Sequence, residues 1–151
     1  VKKDSLFVGS QILLGLLYFA DTSVDIIAVE LHPVIRGLGI FLSLAGMIVL
    51  ILALLQLSDS LSPFPTPKTD AHLVTSGMYR YVRHPIYMGI LVEALGVGLI
   101  MASVWKLAVT LALLILFYFK ARYEEQLLQE KFAEYREYQK KTGMLFPKML
   151  K

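Results

Sequence analysis

Residues 37–57 run for 21 positions without an acidic, basic or histidine side chain. A hydrocarbon core about 30 Å thick needs about 20 helical residues to cross it. This run meets that requirement, and the rest of the chain has to be arranged around it. Three more apolar blocks, at residues 6–20, 86–101 and 104–119, account for a mean hydropathy of +0.62 in a chain with only 18% charged residues. Blocks of this kind predict an all-α integral membrane fold of about four transmembrane helices. There is no cysteine, which excludes a disulfide frame, a thiolate nucleophile and a Cys-ligated metal.

The 151 residues make one membrane domain in three parts. Residues 1–57 hold the first two membrane helices. The block at 6–20 is short for a span; Lys2 and Lys3 precede it as in a signal peptide, but Tyr18-Phe19-Ala20 is a poor cleavage site, so it reads as a membrane helix. Asp21, Asp25 and Glu30 make an acidic loop around the apolar piece at 26–29, and His32-Pro33 is placed to start the second helix. Gly39 and Gly46 lie on one face of that helix and let a neighbour approach closely. Residues 58–85 are a linker and a polar motif; Pro63, Pro65 and Pro67 favour an extended chain and exclude a helix from the linker.

Residues 86–151 hold a helical hairpin turned at Ala102-Ser103, then a charged, amphipathic C-terminal helix from Arg122 to Lys141. Leu128, Phe132, Tyr135 and Gln139 mark its mostly apolar stripe, its tyrosine series is read as a membrane-interface or lid face, and Thr142-Gly143 and Pro147 stop it. Gly89, Glu93 and Gly96 share one face of the third helix. Glu93 is expected to be a neutral, hydrogen-bonding acid in the helix packing, with a substrate tunnel as the other reading.

The basic residues assign a topology. Of the 15 Lys and Arg, only Arg36 and Lys106 fall in the loops after the first and third blocks. The others flank the first block, fill the central motif or follow the fourth block, so both termini and the motif are expected on the cytoplasmic face.

The motif spans residues 73–89. Pro85 suits the first turn of a helix, and a helix N-terminus favours an anion. Arg83 and His84 add donors there, and Tyr79, Tyr81 and Tyr87 offer ring faces for an organic cation. A place for both a carboxylate and a cation suits a zwitterionic sulfonium amino acid. The same composition also fits a basic, aromatic loop at a membrane interface. His32, His72 and His84 are too scattered for a metal site. No Gly-x-Gly-x-x-Gly follows a strand, so no Rossmann domain is expected; Gly96 and Gly98 lie inside a membrane helix.

Leu-Val-Thr-Ser-Gly-x-Tyr at 73–79, followed by Arg-His-Pro-x-Tyr-x-Gly at 83–89 and Glu-Glu-x-x-Leu at 124–128, resembles the signature of the isoprenylcysteine carboxyl methyltransferases and, more distantly, of the membrane phospholipid methyltransferases. The resemblance covers residues 73–147. It implies a membrane methyltransferase that uses S-adenosylmethionine, leaving S-adenosylhomocysteine, at the cytoplasmic ends of the last two membrane helices. Carried over by matching position, the cofactor residues are Leu73, Val74, Tyr79, His84, Pro85, Tyr87 and Glu124, supported by Arg83 and Glu125. Adjacent helix positions diverge by about 100°, so one of the two glutamates should face the cofactor and the other pair with Arg122 or Arg83.

Where the family has an arginine one helical turn before the first glutamate, implicated at the substrate carboxylate, this chain has Lys120, with Arg122 two residues on. These two are the expected substrate-side residues. No catalytic residue is assigned, because methyl transfer needs mainly positioning. The expected partners are the bilayer and a lipophilic small-molecule or lipidated acceptor, with no nucleic acid; oligomeric state and acceptor atom are left open. A lipid-amine or thiol methyltransferase is the alternative within the class. A non-enzymatic four-helix scaffold or transporter subunit is the alternative outside it.

Overall fold

A computed structural model of the chain describes residues 2–20, 32–57, 62–70 and 72–148. The acidic loop at 21–30, part of the linker at 58–61, and Val1 and Lys151 at the ends lie outside the described residues. Among the described residues every long element is a helix: α1 (Lys2–Phe19), α2 (Pro33–Leu57), α3 (Pro85–Ile100), α4 (Val104–Lys131) and α5 (Tyr135–Lys141). A single 3₁₀ turn, Gly77–Arg80, lies inside the motif.

Helices α2 and α4 are long and apolar enough to cross a membrane, while α3 is apolar over only 16 residues. Helix α1 begins at Lys2, four residues before its apolar block, because Asp4 is buried there and accepts a 2.6 Å hydrogen bond from Thr66 of the linker. Pro33 opens α2 as expected, with His32 Nδ1 accepting from the Val34 N–H at 3.3 Å.

The larger departure is at α4. The fourth apolar block and the charged segment after it form one continuous 28-residue helix. No Gly or Pro interrupts 104–131, and the edge of the hydrocarbon does not break a backbone. The expected C-terminal helix instead breaks at Phe132, whose backbone is extended at φ −119° and ψ 115°, before the short α5. The turn at Met101-Ala102 is tight, with Ala102 at φ 51°, and Ser103 caps α4 by accepting from the Lys106 N–H.

The helices run up, down, up, down. Helices α2 and α3 touch backbone to backbone: a Cβ on Gly46 would lie 2.8 Å from the Gly89 carbonyl oxygen, and one on Gly96 would lie 2.6 Å from that of Gly39. Helix α1 lies antiparallel to α4, with Phe7 stacked on Tyr123 at 5.7 Å near one end. At the other end Trp105 Nε1 donates to the Leu17 carbonyl and Lys106 Nζ to that of Tyr18, each at 2.7 Å. Tyr18 in turn donates to the Ala94 carbonyl, so α1, α3 and α4 meet around Tyr18, Leu91, Val109, Leu113 and Phe117. This order puts the start of α1, the end of α2, the motif and the charged end of α4 at one end of the bundle. Glu93 is half-buried on α3, beside the Gly46 contact.

Close contact makes these glycines unequal in what they tolerate. Gly46→Ala is expected to destabilise by about 1–3 kcal/mol through overpacking. Gly15→Ala in α1, where nothing lies within 4 Å of the added carbon, should be neutral or stabilising by up to about 1 kcal/mol. Thermal unfolding of the detergent-purified variants measures both.

Candidate active site

The motif is folded by contacts that its own sequence does not supply. Gly77 takes φ 59°, a left-handed conformation open to glycine, and a Cβ there would collide with the Gln56 side chain from α2. Gln56 Oε1 accepts from the Met78 N–H at 2.7 Å, fixing the 3₁₀ turn against the end of α2. From Tyr81 to His84 the chain pairs with the C-terminal segment: the Gly143 N–H donates to the Tyr81 carbonyl, the Arg83 N–H to that of Gly143, and the His84 N–H to that of Met144. The N–H groups of Arg83 and His84, expected to be open to an anion at the start of α3, are therefore occupied.

Arg83 works as a strut. Its Nε donates to Glu125 Oε1 at 2.6 Å, and its Nη1 reaches the carbonyls of Gln139 and Thr142. Gln139 Nε2 donates to the other Glu125 oxygen at 2.8 Å. Both side chains of the ion pair are under 10% exposed. Glu125 lies past Lys120, beyond the apolar part of α4. Burial pushes its carboxyl up, but the His84 imidazole and the Arg83 guanidinium outweigh burial and hold it down at about 2.

A rotation of about 100° about the helix axis separates the two glutamates as expected. With Glu125 spent on Arg83, Glu124 faces a cavity of about 280 Å³ and accepts from the Tyr87 hydroxyl at 2.9 Å. That volume is at the small end of the range for ligand sites. Leu73, Val74, Tyr79, Arg83, His84, Tyr87, Lys120 and Glu124 all line it. Pro85 is buried behind the wall, where it opens α3. The rings of His84 and Tyr87 stack at 5.3 Å, and Tyr87 stacks on Phe117 at 4.6 Å. His84 Nδ1 is 3.7 Å from Glu124 Oε2, and its Nε2 is 3.3 Å from Glu125 Oε1, the carboxylate oxygen that Arg83 also meets.

Lys120 is buried against the Tyr87 ring, and its Nζ donates to Gln11 Oε1 at 2.7 Å and to the Pro63 carbonyl at 3.1 Å. Arg122 does not share its place. Two residues further on it is about 200° around the helix, exposed and beside Tyr118. Tyr81 is likewise outside, 59% exposed, so it gives the cavity no ring face.

Several lining residues carried no signal of their own. Pro63, Phe64, Pro65 and Pro67 make the proline segment a wall of the cavity, clamped by Asp4 to Thr66 and by Lys131 to the carbonyls of Lys68 and Thr69. Gln11 enters from α1. Phe132, Tyr135 and Tyr138 close the far side, and Tyr138 donates to the Tyr79 carbonyl. The break at Phe132 is what turns α5 across the motif. Only the C-terminal aromatic stripe could have been found in advance, and its spacing alone reads as packing. Among the described residues no cluster of three or more His, Cys, Asp or Glu is placed to hold a metal ion.

Comparison with known proteins finds a matching family and several relatives. The sequence model of a family described as phospholipid methyltransferase matches residues 34–135. The cobalt-zinc-cadmium resistance protein CzcN of Cupriavidus metallidurans is 37% identical over 78 residues, 51% of this chain and 36% of that protein. The nickel-cobalt-cadmium resistance protein NccN of Alcaligenes xylosoxydans xylosoxydans is 34% identical over 84 residues, 54% of this chain and 39% of that one. The protein-S-isoprenylcysteine O-methyltransferase of Saccharomyces cerevisiae is 33% identical over 114 residues, 73% of this chain and 48% of that one. In each case the matched part is under half of the relative's length.

The Arg83–Glu125 pair gives the fold an acid limit. A folded-state pKa of about 2 against an ordinary 4.5 means that its stabilisation is complete above pH 4.5 and is lost as pH falls towards 2. Glu125→Gln should cost about 3 kcal/mol at neutral pH by leaving the guanidinium buried without its counter-charge, and should flatten that acid limb. Thermal unfolding of both proteins between pH 6 and pH 2 reads the difference.

Proposed function

The chain belongs to the phospholipid methyltransferase family, and we propose that it is an integral membrane methyltransferase that uses S-adenosylmethionine on a lipophilic acceptor, with its site on the cytoplasmic face. The observation that carries this reading is the cavity itself. Segments far apart in the chain bring His84, Tyr87 and Glu124 to its surface, where the His84 ring stacks on Tyr87 and the Tyr87 hydroxyl meets the Glu124 carboxylate.

The residues present fit the cofactor. It is a zwitterion with a sulfonium, and the cavity offers one carboxylate and two stacked rings. His84, Tyr79, Tyr87 and Glu124 would hold it, with Leu73 and Val74 as apolar wall and Pro85 fixing the start of α3. Bound there, S-adenosylmethionine supplies an already activated methyl group. The task of this chain is then to align, to exclude water and to hold charge. Burial first, and then the Glu124 carboxylate, push the Tyr79 phenol well up, so it stays neutral and donates its proton to the Ala53 carbonyl at 3.4 Å while its ring walls the cavity.

Lys120 marks the acceptor side. It is a buried ammonium whose hydrogen bonds go to an amide and a carbonyl, so its charge is left to act on the cavity. Such a group suits an acceptor with an anionic part, a carboxylate or a lipid phosphate. The relative acting on protein S-isoprenylcysteine supports a carboxylate; the family description supports a phospholipid.

For topology, the up-down order of α1 to α4 and the distribution of Lys and Arg support a reading of four membrane passes with both ends and the site in the cytoplasm.

Calorimetry with S-adenosylhomocysteine on the detergent-purified protein tests the reading. His84→Ala and Glu124→Gln should each weaken binding by about 10- to 150-fold, the effect of a charge-assisted hydrogen bond. Lys120→Ala should leave it nearly unchanged and raise KM for an anionic acceptor. Unchanged affinity in both His84→Ala and Glu124→Gln would remove the cofactor from this cavity. Reporter fusions at the two ends should label the same side of the membrane.

A further inference from the structure

Tyr135, the first residue of α5, is 1% exposed and lines the cavity, yet its hydroxyl has no hydrogen-bond partner. A buried tyrosine hydroxyl normally finds one. Its neighbour shows the ordinary case: Tyr138 packs edge-on against Tyr135 with ring centroids 5.7 Å apart, and its own hydroxyl donates to the Tyr79 carbonyl. The stripe that carries both residues therefore does two things. Tyr138 fastens α5 to the motif, whereas the hydroxyl of Tyr135 does nothing for the protein alone.

An unpaired polar atom buried on a cavity wall is accounted for by a ligand that meets it. Tyr135 belongs to the C-terminal helix, which is tied to the motif through Glu125, by Gln139 on one side and Arg83 on the other. Burial, and then the nearby Glu125 carboxylate, push the Tyr135 phenol well up, so it carries its proton at any ordinary pH. That proton is available to an acceptor atom.

We propose that Tyr135 is a ligand-binding residue, its hydroxyl donating a hydrogen bond to an acceptor atom of the bound methyl donor. This rests on the cofactor reading of the cavity and adds α5 to the binding surface. The ligand then ties α5 to the motif at a point where the protein alone has no bond, so occupancy tightens the C-terminal segment over the site.

The consequence is a separation between stability and binding that a packing role would not produce. Tyr135→Phe keeps the ring and removes only an unpaired hydroxyl, so the ligand-free protein should unfold at or above the wild-type temperature. Tyr138→Phe removes a hydroxyl that is bonded, so its ligand-free form should unfold below wild type. With S-adenosylhomocysteine as the probe, Tyr135→Phe should bind roughly 5- to 30-fold more weakly and show a correspondingly smaller ligand-induced rise in unfolding temperature. If Tyr135→Phe binds as tightly as wild type, the inference falls while the cofactor reading stands. A ligand-free loss of stability equal to that of Tyr138→Phe would also overturn it, by giving the hydroxyl a structural partner. If the wild-type protein itself does not bind S-adenosylhomocysteine, both readings fall.

Discussion

The site depends on one ion pair removed from water at the edge of the bundle. Arg83 and Glu125 are 42 positions apart and meet at 2.6 Å with both side chains buried. A buried pair of this kind is stable only while each charge keeps its partner and the remaining polar atoms are bonded. Those bonds come from the C-terminal segment: Gln139 takes the second carboxylate oxygen, and carbonyls of Gln139 and Thr142 take Nη1 of the guanidinium. Three parts of the chain, the motif, the charged end of α4 and α5, are thus tied at one point. Helical geometry then does the rest. With Glu125 turned to Arg83, Glu124 is turned by about 100° to the cavity, where it meets Tyr87.

Below that tie the chain is built for hydrocarbon rather than for a water-driven core. Large apolar side chains of α2, among them Phe41, Leu44, Ile48 and Leu55, are exposed, as a lipid-facing surface requires. Since lipid is as apolar as leucine, helices gain little by hiding such groups, and close backbone approach matters more. Gly39, Gly46, Gly89 and Gly96 provide it between α2 and α3. Charges within the bundle are handled by the same logic. Lys106 at one end and Lys120 at the other both turn their ammonium groups to backbone carbonyls and sit over tyrosine rings. At Lys120 that arrangement leaves a positive charge beside a cavity.

Legibility followed the range of the interaction. Pro33 and Pro85 opened helices where a proline's fixed φ and missing N–H allow it. The face shared by Gly39 and Gly46 did receive another helix. The split of the two glutamates was readable because it is a matter of angle along one helix. By contrast, the join of the apolar and charged parts of α4 was hidden by the change in composition at Lys120, which alters the solvent outside the helix and not its backbone. The break at Phe132 was hidden for the converse reason. The local sequence is helix-favouring there, and only the anchoring of Tyr138 and Gln139 to the motif accounts for the turn.

The sequence by itself determined an all-helical chain with apolar blocks of membrane length, and it marked the motif residues and the glutamate pair. Those properties belong to short windows, where period, proline, glycine and charge act on the nearest few residues. Tertiary structure decided which partner each of those residues takes. It gave Arg83 to Glu125 and the C-terminal carbonyls, brought Gln11 of α1 to Lys120 across 109 positions, and made the proline segment a wall. It also left the buried Tyr135 hydroxyl without a hydrogen-bond partner. The reason is that a hydrogen bond or ion pair depends on a separation of about 3 Å in space, and no local pattern in a chain records which distant atoms the packed helices will bring to that distance.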